Sequence, residues 1–478
     1  MSRSQEGSQE DFQESAQTVL QEGASSASDE AMEFLLKHPE VETIELLIAD
    51  LNGVIRGKRI ERSLLSKVYE KGFYLPGSVM ALDATGTTVE ESGLGMDVGD
   101  CDRLCFPVPN TLCIVPWHET GDRAQVLCSM YETDGTPFFA DPRQVLVNAV
   151  KRFEELGYTP GIALELEFYL IDPQTNEKGQ VQPPLIPGTD RRMSSKQVYS
   201  VDDLDDYDFF IRDVIATAQI QNIPADTVIA EYAPGQFEVN LNYGEDILAA
   251  TDQAVLLKRV ISCVAKKYGM QASFMAKPYI EESGNGLHIH LSLMDADGNN
   301  VFAAYDPTTN TLLQNAVAGL LDMADSTQAL LCPNVNSYRR LAPEAFAPTS
   351  KTWGLDNRTV AIRIPSGGKE STRIEHRISG ADTNPYLAVT TVLAGTVEGI
   401  RKSMTPPEAV TGNAYDQSHA HIADNQRDAL RAMAADPRVT DWFGEEFVDM
   451  YQTCKWSEVR LFERQVTAME YELLLPYI

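Results

Sequence analysis

Four short segments place charged side chains with the period of two that a β-strand imposes, successive residues facing opposite sides. In ALELEFYL, Glu165 and Glu167 share one face, with Leu164, Leu166 and Phe168 on the other. In LHIHLSL, His288, His290 and Ser292 lie opposite Leu287, Ile289 and Leu291. RIEHRI sets Arg373, Glu375 and Arg377 against Ile374, His376 and Ile378. In EYAPGQFEVNLNY, Glu231 precedes an Ala-Pro-Gly turn, and Glu238 opens a polar face that continues with Asn240 and Asn242. Any one of these alone reads as an amphipathic strand with its polar face in water. Together they supply five carboxylates and a histidine pair with no lysine. If they share one sheet, that charge must be neutralised by shifted pKa values or by bound cations. Carboxylate oxygens with one or two imidazoles favour Mg²⁺ or Mn²⁺ over zinc, and more than two carboxylates suggest more than one ion. A second His-x-His pair, His419 and His421 in DQSHAHIAD, has no strand periodicity around it and reads as surface.

The basic residues are also unevenly placed. Arg339, Arg340, Lys351, Arg358, Arg363, Lys369, Arg373 and Arg377 stand against four acids between positions 339 and 377. A local excess of positive charge inside a strongly acidic chain suggests an anion site, most simply for phosphate, although some of these arginines will pair with the surplus carboxylates. No GxxxxGK[ST] loop and no GxGxxG fingerprint is present, so neither a P-loop nor a dinucleotide fold holds that anion. Polyvalent metal beside an arginine cluster points to nucleotide-dependent phosphoryl transfer. The residues alone do not name the acceptor.

The chain that must position these groups has 478 residues, 70 acids against 39 Lys and Arg, and a formal charge of −31. Such a surface repels phosphate backbones and anionic lipid, which speaks against a broad nucleic-acid or membrane-surface role. No stretch reaches the roughly 18 apolar residues of a membrane span, and the N-terminus lacks the basic and apolar regions of a signal peptide. Seven thinly spread cysteines read as reduced and cytoplasmic, with Cys101, Cys105 and Cys113 as buried thiols rather than a zinc site. Residues 1–33 form an acidic, Ser- and Gln-rich flexible tail by composition. A small β domain follows over 34–137, opening with two extended runs around Asn52-Gly53, a hairpin-turn signal. From 138 to 478 helices near 142–157, 247–268, 311–330, 385–402 and 450–465 alternate with the short charged strands. The fold class is α+β, with an antiparallel sheet in the larger domain.

These segments resemble the glutamine synthetase superfamily, in order and from about residue 40 to beyond 400. ELEFYL is similar to its paired metal glutamates, EYAPGQFEVN to its GQ-x-E segment, and SGNGLHIHLSL to the glycine loop before the metal histidine. NSYRRLAP, NRTVAIRIP and RIEHRISGADTNPYLA resemble its glutamate-binding, nucleotide-binding and C-terminal sheet motifs. The resemblance implies a β-grasp-like small domain and a catalytic domain with a curved antiparallel sheet. It implies Glu167, Glu231 and Glu238 as ligands of one metal, and Glu165, His288 and Glu375 as ligands of a second, with two or more Mg²⁺ or Mn²⁺ ions per site. Arg340 and Arg377 would clamp the glutamate carboxylates beside Gly284. Arg358, Arg363 and Arg373 would contact ATP phosphates, with His290 and Ser292 near the nucleotide. Asp50, in ADLNG, would be offered to the amine by a neighbouring subunit of a homo-oligomer of stacked rings, a dodecamer.

Departures bear on the second substrate. In RRLAPEAFAP, Phe346 stands at the register where glutamine synthetases proper carry a glutamate that closes over ammonium, with Glu344 two residues earlier. A ring cannot deprotonate or charge-pair with ammonium, but it packs against CH₂ groups or a cationic amine. A loop shift would let Glu344 serve instead. Ser283 replaces the usual asparagine of the glycine loop, and Tyr415 in GNAYDQS matches the family's regulatory tyrosine only loosely. The stretch from Asn336 to Arg363 is most similar to the branch that joins glutamate to putrescine or related polyamines. The expected activity is therefore an ATP-dependent ligase forming a γ-glutamylamide through γ-glutamyl phosphate, with Asp50, Arg340 and Glu238 in catalytic roles. The alternatives are glutamine synthesis from ammonia, and a catalytically silent scaffold. The Asp-rich VDDLDDYDFF at 201–210 reads as a solvated acidic loop.

Overall fold

A computed structural model describes residues 29–118 and 120–478. The first 28 positions of the expected tail lie outside the described residues, and 29–37 form a helix instead of continuing it.

Two sheets carry the chain. The first contains β1 (Thr43–Ala49), β2 (Ile55–Glu61), β3 (Phe73–Pro76), β4 (Asp102–Pro107), β5 (Cys113–Ile114) and β6 (Arg123–Tyr131). Its order is β2-β1-β6-β4-β3, with β5 also on β6. β1 and β2 form the antiparallel hairpin anticipated around Asn52-Gly53, with Ala49 opposite Ile55, while β1 and β6 run parallel. The hairpin connection is five residues, 50–54, because Asp50 organises it through its own side chain. Cys105 and Cys113 are buried free thiols as expected, but Cys101 is exposed.

The second sheet contains β7 (Thr159–Ile171), β8 (Ala225–Ala230), β9 (Gln236–Leu241), β10 (Gln271–Ser273), β11 (Leu287–Met294), β12 (Trp353–Leu355), β13 (Ile362–Ile364) and β14 (Ile374–His376). The order is β12-β13-β14-β11-β7-β9-β8, with β10 on the end of β7. All pairs are antiparallel except β12 with β13. Leu164, Leu166, Phe168, Ile289, Leu291 and Ile374 are buried, so the apolar face that alternation assigned does form core.

Helices cover that apolar face. Ile247–Lys267, capped by Asp246, packs on β7 and β10. Pro385–Arg401 opens with Asn384 as N-cap and proline at its first turn, and nearly its whole circumference is buried. That suits a sequence apolar all round, PYLAVTTVLAGTVEGI. The expected helix at 311–330 is two, Thr311–Asp322 and Ala324–Leu331. The Asp-rich run is not a loop: Val201–Asp206 is a short helix with Ser200 as N-cap and Asp202 and Asp203 in its first turn, where the helix dipole favours acids.

Candidate active site

Strand register brings the charged residues into one row. Glu165 on β7 lies opposite Asn240 on β9 and His288 on β11. Glu167 lies opposite Glu238, His290 opposite Glu375, and Glu375 opposite Arg363 on β13. Four strands, β7, β9, β11 and β13, thus present Glu165, Glu167, Glu238, Asn240, His288 and Arg363 to a cavity of about 410 Å³, whose lining also includes Glu231, Arg340, Arg358 and Arg377. A second cavity of about 370 Å³ lies on the far side of His290, lined by Ser292, Arg373, Tyr243 and Gly161.

Glu165 stands between the two. One of its oxygens meets His290 Nε2 at 2.8 Å, and the other lies 3.3 Å from His288 Nδ1. Two groups converge within metal-ligand reach, Glu165 with His290 and Glu375, and Glu165 with Glu238 and His288. The grouping differs from the one implied by resemblance, since His290 faces Glu165 and Glu375 directly. Arg373 Nε donates to His290 Nδ1 at 3.0 Å, which leaves the other ring nitrogen for the carboxylates. Glu167 is fixed by Gly286 N–H, which donates to it at 2.7 Å. A Cβ at Gly286 would lie 2.7 Å from an Arg340 nitrogen and 2.8 Å from His288 Nε2, so the close approach of strand and ligands needs glycine there.

The donor set suits divalent cations. Burial, reinforced by the neighbouring Glu167 charge, pushes the Glu231 carboxyl up to about 7. Burial, with Glu165 and Glu167 beside it, also drives Glu238 well above the carboxylate range. Clustered carboxylates of one sign cannot all ionise without a counter-charge. Gln236 Oε1 and Asn240 Oδ1, both in the cavity wall, are buried acceptors without a partner. Oxygen-rich, imidazole-poor coordination of this kind fits Mg²⁺ or Mn²⁺. Glu165 and Glu375 are the exceptions: burial opposes their ionisation, but His288 and His290 hold Glu165 well below the usual carboxylate range, and Arg377 with the two histidines brings Glu375 down to about 2.

Four arginines, Arg340, Arg358, Arg363 and Arg377, line the same cavity. Arg340 is buried, and its nitrogens donate to Ile378 O at 3.0 Å and Arg377 O at 3.3 Å. Arg377 pairs with Glu375 and donates to Phe346 O at 3.1 Å. Arg363 bridges Glu375 and Asp356, each at 2.6 Å. Gly284 lies against Arg340, and its carbonyl accepts from Gln236 at 3.0 Å. Carboxylates, imidazoles and guanidinium groups on one sheet face can therefore bind a polyphosphate and a carboxylic acid side by side.

Residues 139–474 match the family model described as glutamine synthetase, catalytic domain. The chain belongs to the glutamine synthetase family. It is 42% identical over 452 residues to the gamma-glutamylputrescine synthetase of Escherichia coli (strain K12), covering 94% of this chain and 95% of that one. It is 33% identical over 439 residues to a glutamate–isopropylamine ligase of Pseudomonas sp, covering 90% and 93%. A solved GmaS/ADP complex superposes with a TM-score of 0.81 at 26% identity, covering 95% of this chain and 99% of the other.

Within this glutamine synthetase fold, Asp50 is engaged inside its own chain. Its side chain is 0% exposed in the single chain, paired with Arg56. One oxygen accepts from the backbone of Asn52 and Val54, both at 2.9 Å, and the other from Arg56 Nε at 2.9 Å. The turn it builds is packed on Asn384, which donates to Asp50 O at 2.9 Å. Asp50 thus shapes a turn of its own chain.

Phe346 and Glu344 are also distinguished. Phe346 lines the first cavity, 48% exposed, with its ring centroid 6.1 Å from that of Tyr232. Glu344 is exposed and is not in the cavity wall. Tyr199, Tyr232 and Tyr243 are among the cavity residues that strand periodicity missed, because all three lie on irregular backbone. Only Tyr232 carried a signal, following Glu231 into the Ala-Pro-Gly turn. His421 is exposed, and neither it nor His419 joins a metal-type group among the described residues.

Proposed function

We propose that this protein is an ATP-dependent ligase that joins the γ-carboxylate of L-glutamate to an organic amine, putrescine or another polyamine. The observation that supports the amine assignment is the cavity wall, where the rings of Tyr232 and Phe346 lie 6.1 Å apart and Phe346 occupies the register that the family resemblance gives to the glutamate of ammonia-using relatives. Half-exposed rings beside clustered acids offer an alkylammonium both CH₂ packing and cation–π contact. The family generally uses ATP and divalent metal ions, and the relatives' names supply the ligase class.

In this reading Glu167, Glu231 and Glu238 hold one divalent ion, and Glu165, His288 and Glu375 a second, with His290 close enough to share in it. Those ions supply charge neutralisation for the nucleotide phosphates when bound. Arg340 and Arg377 hold glutamate, beside Gly284. Arg358 and Arg363 in the first cavity and Arg373 in the second hold phosphate, with His290, Ser292 and Tyr243 toward the nucleoside. The glutamate γ-oxygen attacks the γ-phosphorus, the bond to ADP breaks, and an acyl phosphate results. A neutral amine then attacks the acyl carbon, the carbon–oxygen bond breaks, and phosphate leaves. An alkylamine has a pKa of about 10 like lysine and must lose a proton first. Because Asp50 is engaged by Arg56 within its own chain, we take Glu231, next to Tyr232, as the candidate acceptor, through the carboxylate oxygen that its ion leaves free.

The small and catalytic domains divide near residues 137 and 138 in this reading. A homo-oligomer is part of it too. Met469, Tyr471, Leu473, Leu474, Leu475, Tyr477 and Ile478 are 47–99% exposed, an apolar run that a lone chain would leave in water. No helix among the described residues is long and apolar enough to cross a membrane. The free cysteines suit a reducing, cytoplasmic setting.

The test is phosphate release from ATP, Mg²⁺ and L-glutamate with ammonium, putrescine, spermidine, ethylamine and ethanolamine in parallel. Release with diamines and little with ammonium is expected. Preference for ammonium would overturn the amine reading.

A further inference from the structure

The loop that carries Phe346 is strained. Glu344 has φ +64° and Phe346 has φ +52°, left-handed backbone that non-glycine residues hold at a cost of about 1 kcal/mol each. Such a loop keeps its shape only if contacts from outside hold it. Two do, on successive carbonyls: Arg377 donates to Phe346 O at 3.1 Å, and the Tyr415 hydroxyl donates to Ala347 O at 2.9 Å.

Tyr415 is itself anchored. It lies in the turn Ala414–Asp416, where the Asn413 side chain accepts from its backbone N–H at 3.1 Å. Ala414 N–H donates to Thr359 Oγ1 at 3.0 Å, and Asn357 Nδ2 donates to Gly412 O at 2.8 Å. Those two anchors flank Arg358. Burial pushes the Tyr415 phenol above its ordinary value, so the hydroxyl keeps its proton and stays a donor through neutral pH.

We propose that Tyr415 is a positioning residue for amine selectivity: with Arg377 it latches the 344–347 loop so that the Phe346 ring forms the amine wall opposite Tyr232. This rests on Phe346 being the amine contact. The latch ties that wall to the Arg358 segment on one side and to the Arg377 clamp on the other. Without it the loop relaxes toward unstrained backbone and the ring leaves the wall. An organic amine then loses packing that ammonium never used.

Tyr415→Phe removes one oxygen and keeps the ring. Losing a single buried hydrogen bond predicts about a fivefold to tenfold rise in KM for the preferred organic amine. The KM values for glutamate and ATP should stay within about twofold, and amide exchange over 342–349 should speed up. In a Phe346→Ala background the same change should add less than about twofold, because the ring it positions is gone. Unchanged exchange would overturn the latch whatever the amine. Faster exchange with full additivity in the double variant would overturn the selectivity role and leave only a loop anchor. If no organic amine supports turnover while exchange still quickens, the amine reading falls and with it the role in selectivity, but the hydrogen bond stands.

Discussion

Replacing Glu231 with glutamine should stabilise the cation-free protein at alkaline pH, although it removes a residue of the active site. The Glu231 carboxyl is pushed from 4.5 up to about 7 by burial and by the charge of Glu167. An acid whose pKa rises on folding holds its proton more tightly in the folded chain. Between pH 4.5 and about 7 the unfolded chain therefore releases a proton that the folded chain keeps, and stability falls as pH rises. Below that window the cost is absent, and above it the cost is complete. At about 1.4 kcal/mol per pH unit the ceiling is about 3 kcal/mol, reduced to about 2 because the side chain is not wholly buried. At roughly 2 °C or less per kcal/mol in a chain of this size, the variant should melt up to about 4 °C higher at pH 8. It should melt with the wild type at pH 4.5. The assay is thermal unfolding of chelator-treated wild type and Glu231→Gln at both pH values, then with Mn²⁺ added. Mn²⁺ takes the counter-charge role, so it should raise the wild type more than the variant at pH 8 and close the gap. A variant that melts below the wild type at pH 8 under chelation would refute the argument. So would one offset equally at both pH values.

Asp50→Ala should cost about 2 kcal/mol by orphaning the part-buried backbone N–H groups of Asn52 and Val54 and the Arg56 guanidinium, while kcat of the folded protein stays within about twofold. Denaturant melts and saturating-substrate turnover check it, and a large loss of kcat with an unchanged melt would return Asp50 to catalysis. Gly161→Ala should raise the KM for ATP about tenfold and leave that for glutamate unchanged, because its Cβ would lie 1.9 Å from the Tyr243 hydroxyl and expel that ring from the second cavity. A chain ending at Arg464 should lose the homo-oligomer, read as a fall in mass by light scattering, since it lacks the exposed apolar run that begins at Val466.

The face of the second sheet was legible because side-chain period in a strand is fixed. Once Leu164, Leu166 and Phe168 are assigned to the core, Glu165 and Glu167 have no choice of side, and the same holds for His288, His290 and Glu375. Register across strands was not legible. It is set by pairing, and it moved His290 into the group with Glu165 and Glu375. The helix at 385–401 could be read from its cap and proline, whereas the break after Asp322 left no mark on apolar periodicity that continues through both helices. Asp50 shows a different limit. Its position in ADLNG matched a motif, but an Asp two residues before Asn-Gly is also the ordinary acceptor of a side-chain-capped turn. That local chemistry was visible in the sequence, and it is what the single chain shows.

The division of labour within the site follows from the same physics. Cation chemistry needs ligands held rigidly, and five of the proposed ligands, Glu165, Glu167, Glu238, His288 and Glu375, are borne on paired strands, while Glu231 lies on the connection just after β8. The amine side proposed above is Tyr199, Tyr232 and Phe346 on turns, two of them with positive φ, and the Phe346 loop is held by side-chain hydrogen bonds from Arg377 and Tyr415. Turn geometry can change by substitution at a few positions without altering strand register. Amine choice can therefore drift while phosphoryl transfer stays fixed. It also follows that exchanging the 342–349 loop alone should move the amine preference only partly. Arg377 and Tyr415, which set the height of that loop, lie outside it and would hold any replacement in the same frame.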